Sequence, residues 1–99
     1  MIYLPGVVST PYLYFVAMRY PEAAAVMFGA SHNPAGDTGQ KLVAPGVTPI
    51  AMNIGPAGGL DKIRELYKAE RSCAAESRGR VRTIDLIDDY IDYLSLIHI

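Results

Sequence analysis

Tryptophan is absent from this chain of 99 residues, cysteine occurs once, and neither sign of charge prevails: nine Lys and Arg stand against ten Asp and Glu. Each shortage excludes something. A lone Cys73 rules out an internal disulfide and fits a reducing compartment. A balanced charge, with acids and bases interspersed, lacks the clustered basic footprint of a nucleic-acid binder. The nearest approach, Arg78, Arg80 and Arg82 around a glycine, reads as a solvated loop. No apolar run reaches the roughly 18–20 residues that a bilayer span requires. The first residues show neither a charged n-region nor a small-residue cleavage site, so the expectation is a cytoplasmic protein with no nucleic-acid or membrane partner. Walker-type G-x-x-x-x-G-K-[ST], H-E-x-x-H, C-x-x-C and G-x-S-x-G patterns are all missing. What the chain does have is apolar residues, 51% of the total, enough for one packed domain.

The apolar residues fall into short, punctuated runs. Ile2 to Leu4 reads as a strand closed by the turn pair Pro5-Gly6. Ser9 or Thr10 can cap a helix over Pro11 to about Arg19 with Pro11 at its first position, and Leu13, Val16 and Ala17 then share one face, with Pro21 as the stop. Ala23 to Phe28, "AAAVMF", is continuously apolar and suits a strand buried on both faces. Strand, helix and strand predict a βαβ unit with its two strands parallel in one sheet, and hence an α/β fold. Lys41 to Ala44 predicts a further strand, and the Pro- and Gly-rich stretch from Pro45 to Gly59 an irregular connection. Leu60 to about Arg71 is the clearest helix, with Leu60, Ile63, Leu66 and Tyr67 on one face. Cys73 to Arg82 reads as a polar linker. Asp85 to Tyr93 resumes a helical period, aligning Leu86, Tyr90 and Tyr93.

Chemistry concentrates in "FGASHNPAGDTGQKLV", Phe28 to Val43. Ser31 follows the second strand's carboxyl end, where open parallel sheets bind their ligands. As a nucleophile or phosphoryl carrier it would be reactive, whereas an ordinary loop serine bonds its own backbone. His32 is of the residue type most used for proton transfer, yet sequence neighbours usually face apart, so adjacency alone does not make Ser31 and His32 a nucleophile–base pair. Lys41 can stabilise charge on a transferring phosphate, or simply blunt a strand edge. Gly36 and Gly39 supply conformational freedom. Asp37 is the loop's one carboxylate, too few for a dedicated Mg²⁺ site.

The loop resembles the active-site segment of the α-D-phosphohexomutases, the phosphoglucomutase and phosphomannomutase family, whose hallmark is T-A-S-H-N-P followed by N-G-x-K. Ala30-Ser31-His32-Asn33-Pro34 matches in full, and Gly39 and Lys41 keep register; Gly29 and Thr38 stand where the family has threonine and asparagine. Upstream "VVSTPYLYF" and downstream "DLIDDYIDYL" are similar to the family's segments before the loop and leaving the first domain. The resemblance implies a partial three-layer α/β/α domain with a mixed, mostly parallel sheet. It implies that Ser31 carries a phosphoryl group, that His32 and Lys41 assist proton and charge movement, and that Asn33 helps to bind substrate. It further implies a hexose phosphate substrate, a hexose 1,6-bisphosphate intermediate that also serves as activator, and Mg²⁺ on the Ser31 phosphate. The D-x-D-x-R loop that supplies the other metal ligands in the family does not occur in this sequence.

The resulting expectation is a phosphohexomutase piece, truncated at both ends, whose partners include the remaining domains of a parent chain. Residues 1–83 would belong to the first domain and 84–93 to the start of the link towards the second. The closing "LSLIHI", residues 94–99, resembles the translation of a sequencing adapter and reads as a non-native tail, which leaves His98 without a role. Alone, such a piece would be inert and marginally folded, with an exposed strand edge. The alternatives are a small partner-binding α/β module without catalysis, or another phosphotransfer or hydrolytic enzyme using Ser31, for which no base and orienting acid can be identified.

Overall fold

The computed structural model describes residues 1–56, 58–74 and 76–97, the side chain of Ile97 excepted. The elements in chain order are β1 (Ile2–Leu4), α1 (Thr10–Arg19), β2 (Ala25–Gly29), β3 (Gly39–Ala44), β4 (Thr48–Pro49), α2 (Leu60–Lys68), β5 (Val81–Thr83) and α3 (Ile87–Ile97). Helices are interspersed among the strands, and both parallel and antiparallel ladders are present, so the α/β class and the mixed pairing are as expected.

Helix α1 is the centre of the molecule. Ser9 caps it from an extended backbone and accepts the Tyr12 N–H at 3.4 Å, satisfying one of the free first-turn donors. Thr10, the other capping candidate, instead donates its hydroxyl to the Met27 sulfur at 3.3 Å and so ties the helix to β2. The chain leaves the helix at Tyr20, ahead of Pro21. Leu13, Val16 and Ala17 are buried as their spacing predicts; Tyr12 and Phe15 are buried too. Apart from Val43 and Ala44 on β3, every buried apolar residue described lies on this one helix.

The strand pairing departs from the βαβ expectation. β1 does not lie beside β2; it pairs in parallel with β5, Ile2 opposite Val81 and Leu4 opposite Thr83. Two of the partner's three residues, Val81 and Arg82, lie within the stretch read as a polar linker, whose Arg-rich composition hides a three-residue strand. Consecutive strands neighbour each other only about two-thirds of the time, and here long-range pairing wins, supported by Tyr3 stacked on Tyr20 at 4.3 Å. β2 pairs antiparallel with β3 in a hairpin, from Ala25 opposite Val43 to Gly29 opposite Gly39, and β4 extends it on the far side. The turn into β4 needs left-handed backbone at Gly46 (φ 77°) and Val47 (φ 54°), and Gly46 donates its N–H to Pro21 O at 2.8 Å.

β2 is also less buried than its apolar run predicts. Ala25 and Met27 are half-buried, but Val26 and Phe28 are exposed, Phe28 to 67%. The reason is that α1 covers one face and no second layer covers the other among the described residues. The same holds for α2, which ends at Lys68: its apolar face, Leu60, Ile63, Leu66 and Tyr67, forms as expected yet is uncovered. α3 runs past Tyr93 to Ile97, taking in the first part of the tail segment; His98 and Ile99 lie outside the described residues.

Candidate active site

The segment Ala30 to Thr38 joins β2 to β3 as a hairpin loop, closed by the Gly29–Gly39 pair. A Cβ on Gly39 would meet Gly29 O at 3.2 Å, so this glycine serves a close cross-strand approach rather than conformational freedom. Neither Gly36 nor Gly39 is among the glycines with positive φ. The loop is built from two successive turns: Asn33 donates its N–H to Ala30 O at 3.0 Å, and Asp37 to Pro34 O at 2.9 Å.

The left-handed residue of the first turn is Ser31 itself, with φ of 54°. A side chain at that angle crowds the following carbonyl, at a cost of roughly 1–2 kcal/mol. Glycine or asparagine would enter it more easily. Val47 and Glu70 adopt the same backbone region, at φ of 54° and 52°.

The turn also overrides the expectation from adjacency. Ser31 Oγ lies 3.3 Å from His32 Nδ1, so the two neighbours do face each other. With Nδ1 unprotonated, the hydroxyl donates to it; which ring nitrogen carries the proton decides the direction. Both side chains are exposed, as is every residue from Ser31 to Lys41. The hydroxyl is therefore open to solvent at the carboxyl end of β2, where the sequence places it. Asn33 stands beside the pair, its backbone N–H used in the turn.

Lys41 sits on β3 opposite Met27. No carboxylate among the described residues lies within ion-pair distance of its ammonium, and no hydrogen bond joins it to Ser31 or His32. It instead borders an open depression of about 420 Å³ whose lining includes Tyr14, Leu42, Val47, Ile50 and Leu60. The structure thus brings Ser31 and His32 together and leaves Lys41 along the hairpin from them. Leu60, part of that lining, opens α2, and Leu60 and Asp61 donate their N–H groups to Ala51 O and Met52 O, both at 2.8 Å, which ties the irregular segment to the start of the helix.

Two features escape the sequence reading. One is the Ser31 backbone, for which the only available signal is the turn-forming Ala-Ser-His-Asn-Pro string. The other is the Thr10–Met27 contact, where Thr10 in the "STP" cap reaches the strand that presents the loop.

Residues 1–72 match the family described as phosphoglucomutase/phosphomannomutase, alpha/beta/alpha domain I. The chain belongs to this family. The chain is a partial α/β/α first domain of this family, with the serine loop at a strand's carboxyl end. Among similar proteins, a phosphomannomutase of Vibrio cholerae is 30% identical over 89 residues, covering 90% of this chain and 18% of that protein. A phosphoglucosamine mutase of Parafrankia sp. is 37% identical over 90 residues, covering 90% and 19%. A phosphomannomutase of Escherichia coli is 32% identical over 91 residues, again covering 90% and 19%. The chain therefore spans about a fifth of the length of the curated relatives it matches. No solved structure matches it significantly.

Proposed function

We propose that this segment is the phosphoryl-carrying half-site of a phosphohexomutase, with Ser31 as the carrier. The observation that bears most on this reading is the solvent-open Ser31 hydroxyl, held at a strained φ against the His32 ring. In the forward step the phosphoserine P–O bond breaks as a hydroxyl of a hexose monophosphate forms a new one, giving a hexose 1,6-bisphosphate and a free serine. After the intermediate turns over, the bond from its other phosphate to the sugar oxygen breaks as Ser31 Oγ takes the phosphoryl group; the serine proton passes to His32 Nδ1, and the sugar oxygen leaves as a hydroxyl with a proton from solvent. The Lys41 ammonium stabilises charge on the transferring oxygens, once domain closure or substrate brings them to it. Asn33 contributes a side-chain amide to substrate binding.

Relatives named for both mannose and glucosamine phosphates support a hexose phosphate as the substrate class and favour no single sugar. Mg²⁺ fits this segment only in part. No group of three or more His, Cys, Asp or Glu gathers among the described residues, so the segment offers the ion a phosphate on Ser31 and little else; no step is derived through it. The remaining ligands, and the other domains as partners, belong to a longer parent protein working in the cytoplasm, with residues 1–83 in the first domain, 84–93 leading towards the second and 94–99 foreign to it.

The deciding experiment loads the full-length parent with labelled hexose 1,6-bisphosphate and locates the label. Label on Ser31, lost together with turnover in Ser31→Ala, is the expected result; full turnover in that variant sinks the proposal. A second reading, a partner-binding module without catalysis, draws on the uncovered apolar face of α2. It predicts that Ser31→Ala and Lys41→Gln are silent while Ile63→Asp abolishes binding.

A further inference from the structure

The second side of the α1 core is covered from beyond residues 1–72, the stretch that matches the first-domain family. Tyr12 is 3% exposed and Phe15 5%, and the groups that cover them lie between Leu86 and Tyr93. Tyr90 meets Tyr12 edge-on at 5.2 Å and Phe15 at 5.2 Å, while Tyr93 meets Phe15 at 5.3 Å. Arg19 lies over Phe15 at 5.9 Å and pairs with Asp89 at 3.5 Å. At the near end of α3 the Tyr12 phenol oxygen accepts the Leu86 N–H at 2.8 Å. Leu86 is the residue ahead of the helix, and its carbonyl takes the first helical bond from Tyr90; Asp85 Oδ1 accepts the next donor, from Ile87, at 3.0 Å.

From this geometry we propose that Val81–Tyr93 is a strap that closes over α1, and that the Tyr12 hydroxyl is its latch. A phenylalanine at position 12 would fill the same space. The hydroxyl is tolerable in a buried position because Leu86 supplies its partner, and a buried phenol without one is costly. In the open strap water solvates both the phenol and the Leu86 N–H, so the bond favours closure only by its net worth over that exchange. The strap itself is lightly held. It has a three-residue ladder with β1, the ring contacts and one exposed ion pair, and its outward residues Ile87 and Ile91 are exposed. Segments with so few buried contacts open at a free energy well below that of the whole fold. Opening frees α3 and uncovers the aromatic face of α1 without disturbing the β2–β3 hairpin, whose tie to α1 is the separate Thr10–Met27 contact.

Amide hydrogen exchange on the 99-residue chain tests this. In Tyr12→Phe the rings remain and the acceptor is lost, so the Leu86 and Tyr90 amides exchange about tenfold faster, with the β2–β3 hairpin amides unchanged. Arg19→Gln, which removes an exposed pair, changes the same amides less than about twofold. Unchanged Leu86 and Tyr90 amides in Tyr12→Phe overturn the latch. Uniform acceleration across the chain, loss of all protection in the variant, or an unprotected Leu86 in the unaltered chain overturns the strap as a separately opening unit.

Discussion

Position 31 carries a serine in backbone space that glycine enters freely, with its oxygen turned towards the ring of the next residue. Two substitutions separate the backbone from the hydroxyl. Ser31→Ala and Ser31→Gly both remove the oxygen and should both abolish phosphoryl loading in the full-length protein. They should differ in stability, with the glycine variant more stable than the alanine variant by up to about 1 kcal/mol because it relieves the left-handed strain. Urea midpoints of the two variants check this; an alanine variant that is the more stable would mean that Ser31 relaxes to negative φ in solution. His32→Gln keeps a polar side chain but no titrating ring, and loading at Ser31 should slow by about 10²–10⁴-fold, the usual worth of a positioned acid–base group. Rates of label transfer from hexose 1,6-bisphosphate measure it. The residue pair was partly legible beforehand. "SHNP" after an apolar run marked both residues, but their mutual approach depends on a φ that residue types do not encode.

Among the elements, α1 has the most to lose from a single change. Phe15 meets Tyr90, Tyr93 and Arg19, and Phe15→Ala removes that contact set and leaves a cavity, at a cost of about 3–5 kcal/mol. In a chain this open, such a loss should appear as a collapse of helical circular dichroism at ambient temperature rather than as a shifted melt. A normal melt in that variant would place the cohesion of the fold elsewhere. The helix itself was readable from its Ser-Thr-Pro start, its apolar spacing and its proline stop. Its second buried side, Tyr12 and Phe15, was not, because it exists only where α3 comes to cover it. The β2–β3 hairpin shows the same division: both strands were visible as apolar runs, while their antiparallel pairing, and the pairing of β1 with β5, were decided by contacts between distant parts of the chain.

For the whole molecule, surface area is the telling quantity. The chain exposes 8186 Å², against roughly 5,500 Å² for a compact protein of its mass. Its radius of gyration is 15.5 Å, where a compact chain of this length has about 13 Å. The excess includes apolar groups: Phe28 on the bare face of β2, Ile63 and Leu66 on α2, Ile91 and Leu96 on α3. Uncovered apolar area of this kind binds hydrophobic dyes and drives association. The 99-residue chain on its own should therefore bind an anilinonaphthalene dye, elute larger as its concentration rises, and show no mutase turnover. A dye-silent monomer with a sharp melt would contradict the open arrangement.

Sequence alone determined the local and chemical facts: the helices, the apolar strands, the serine loop and its family, since capping residues, hydrophobic period and a contiguous motif act over a few residues. Tertiary structure decided which strand lies beside which, that Ser31 and His32 face each other, and that α1 is buried on the side of α3. Those outcomes follow from backbone angles and from contacts between residues as far apart as Tyr12 and Leu86, where many pairings compete and only packing of the whole chain selects among them.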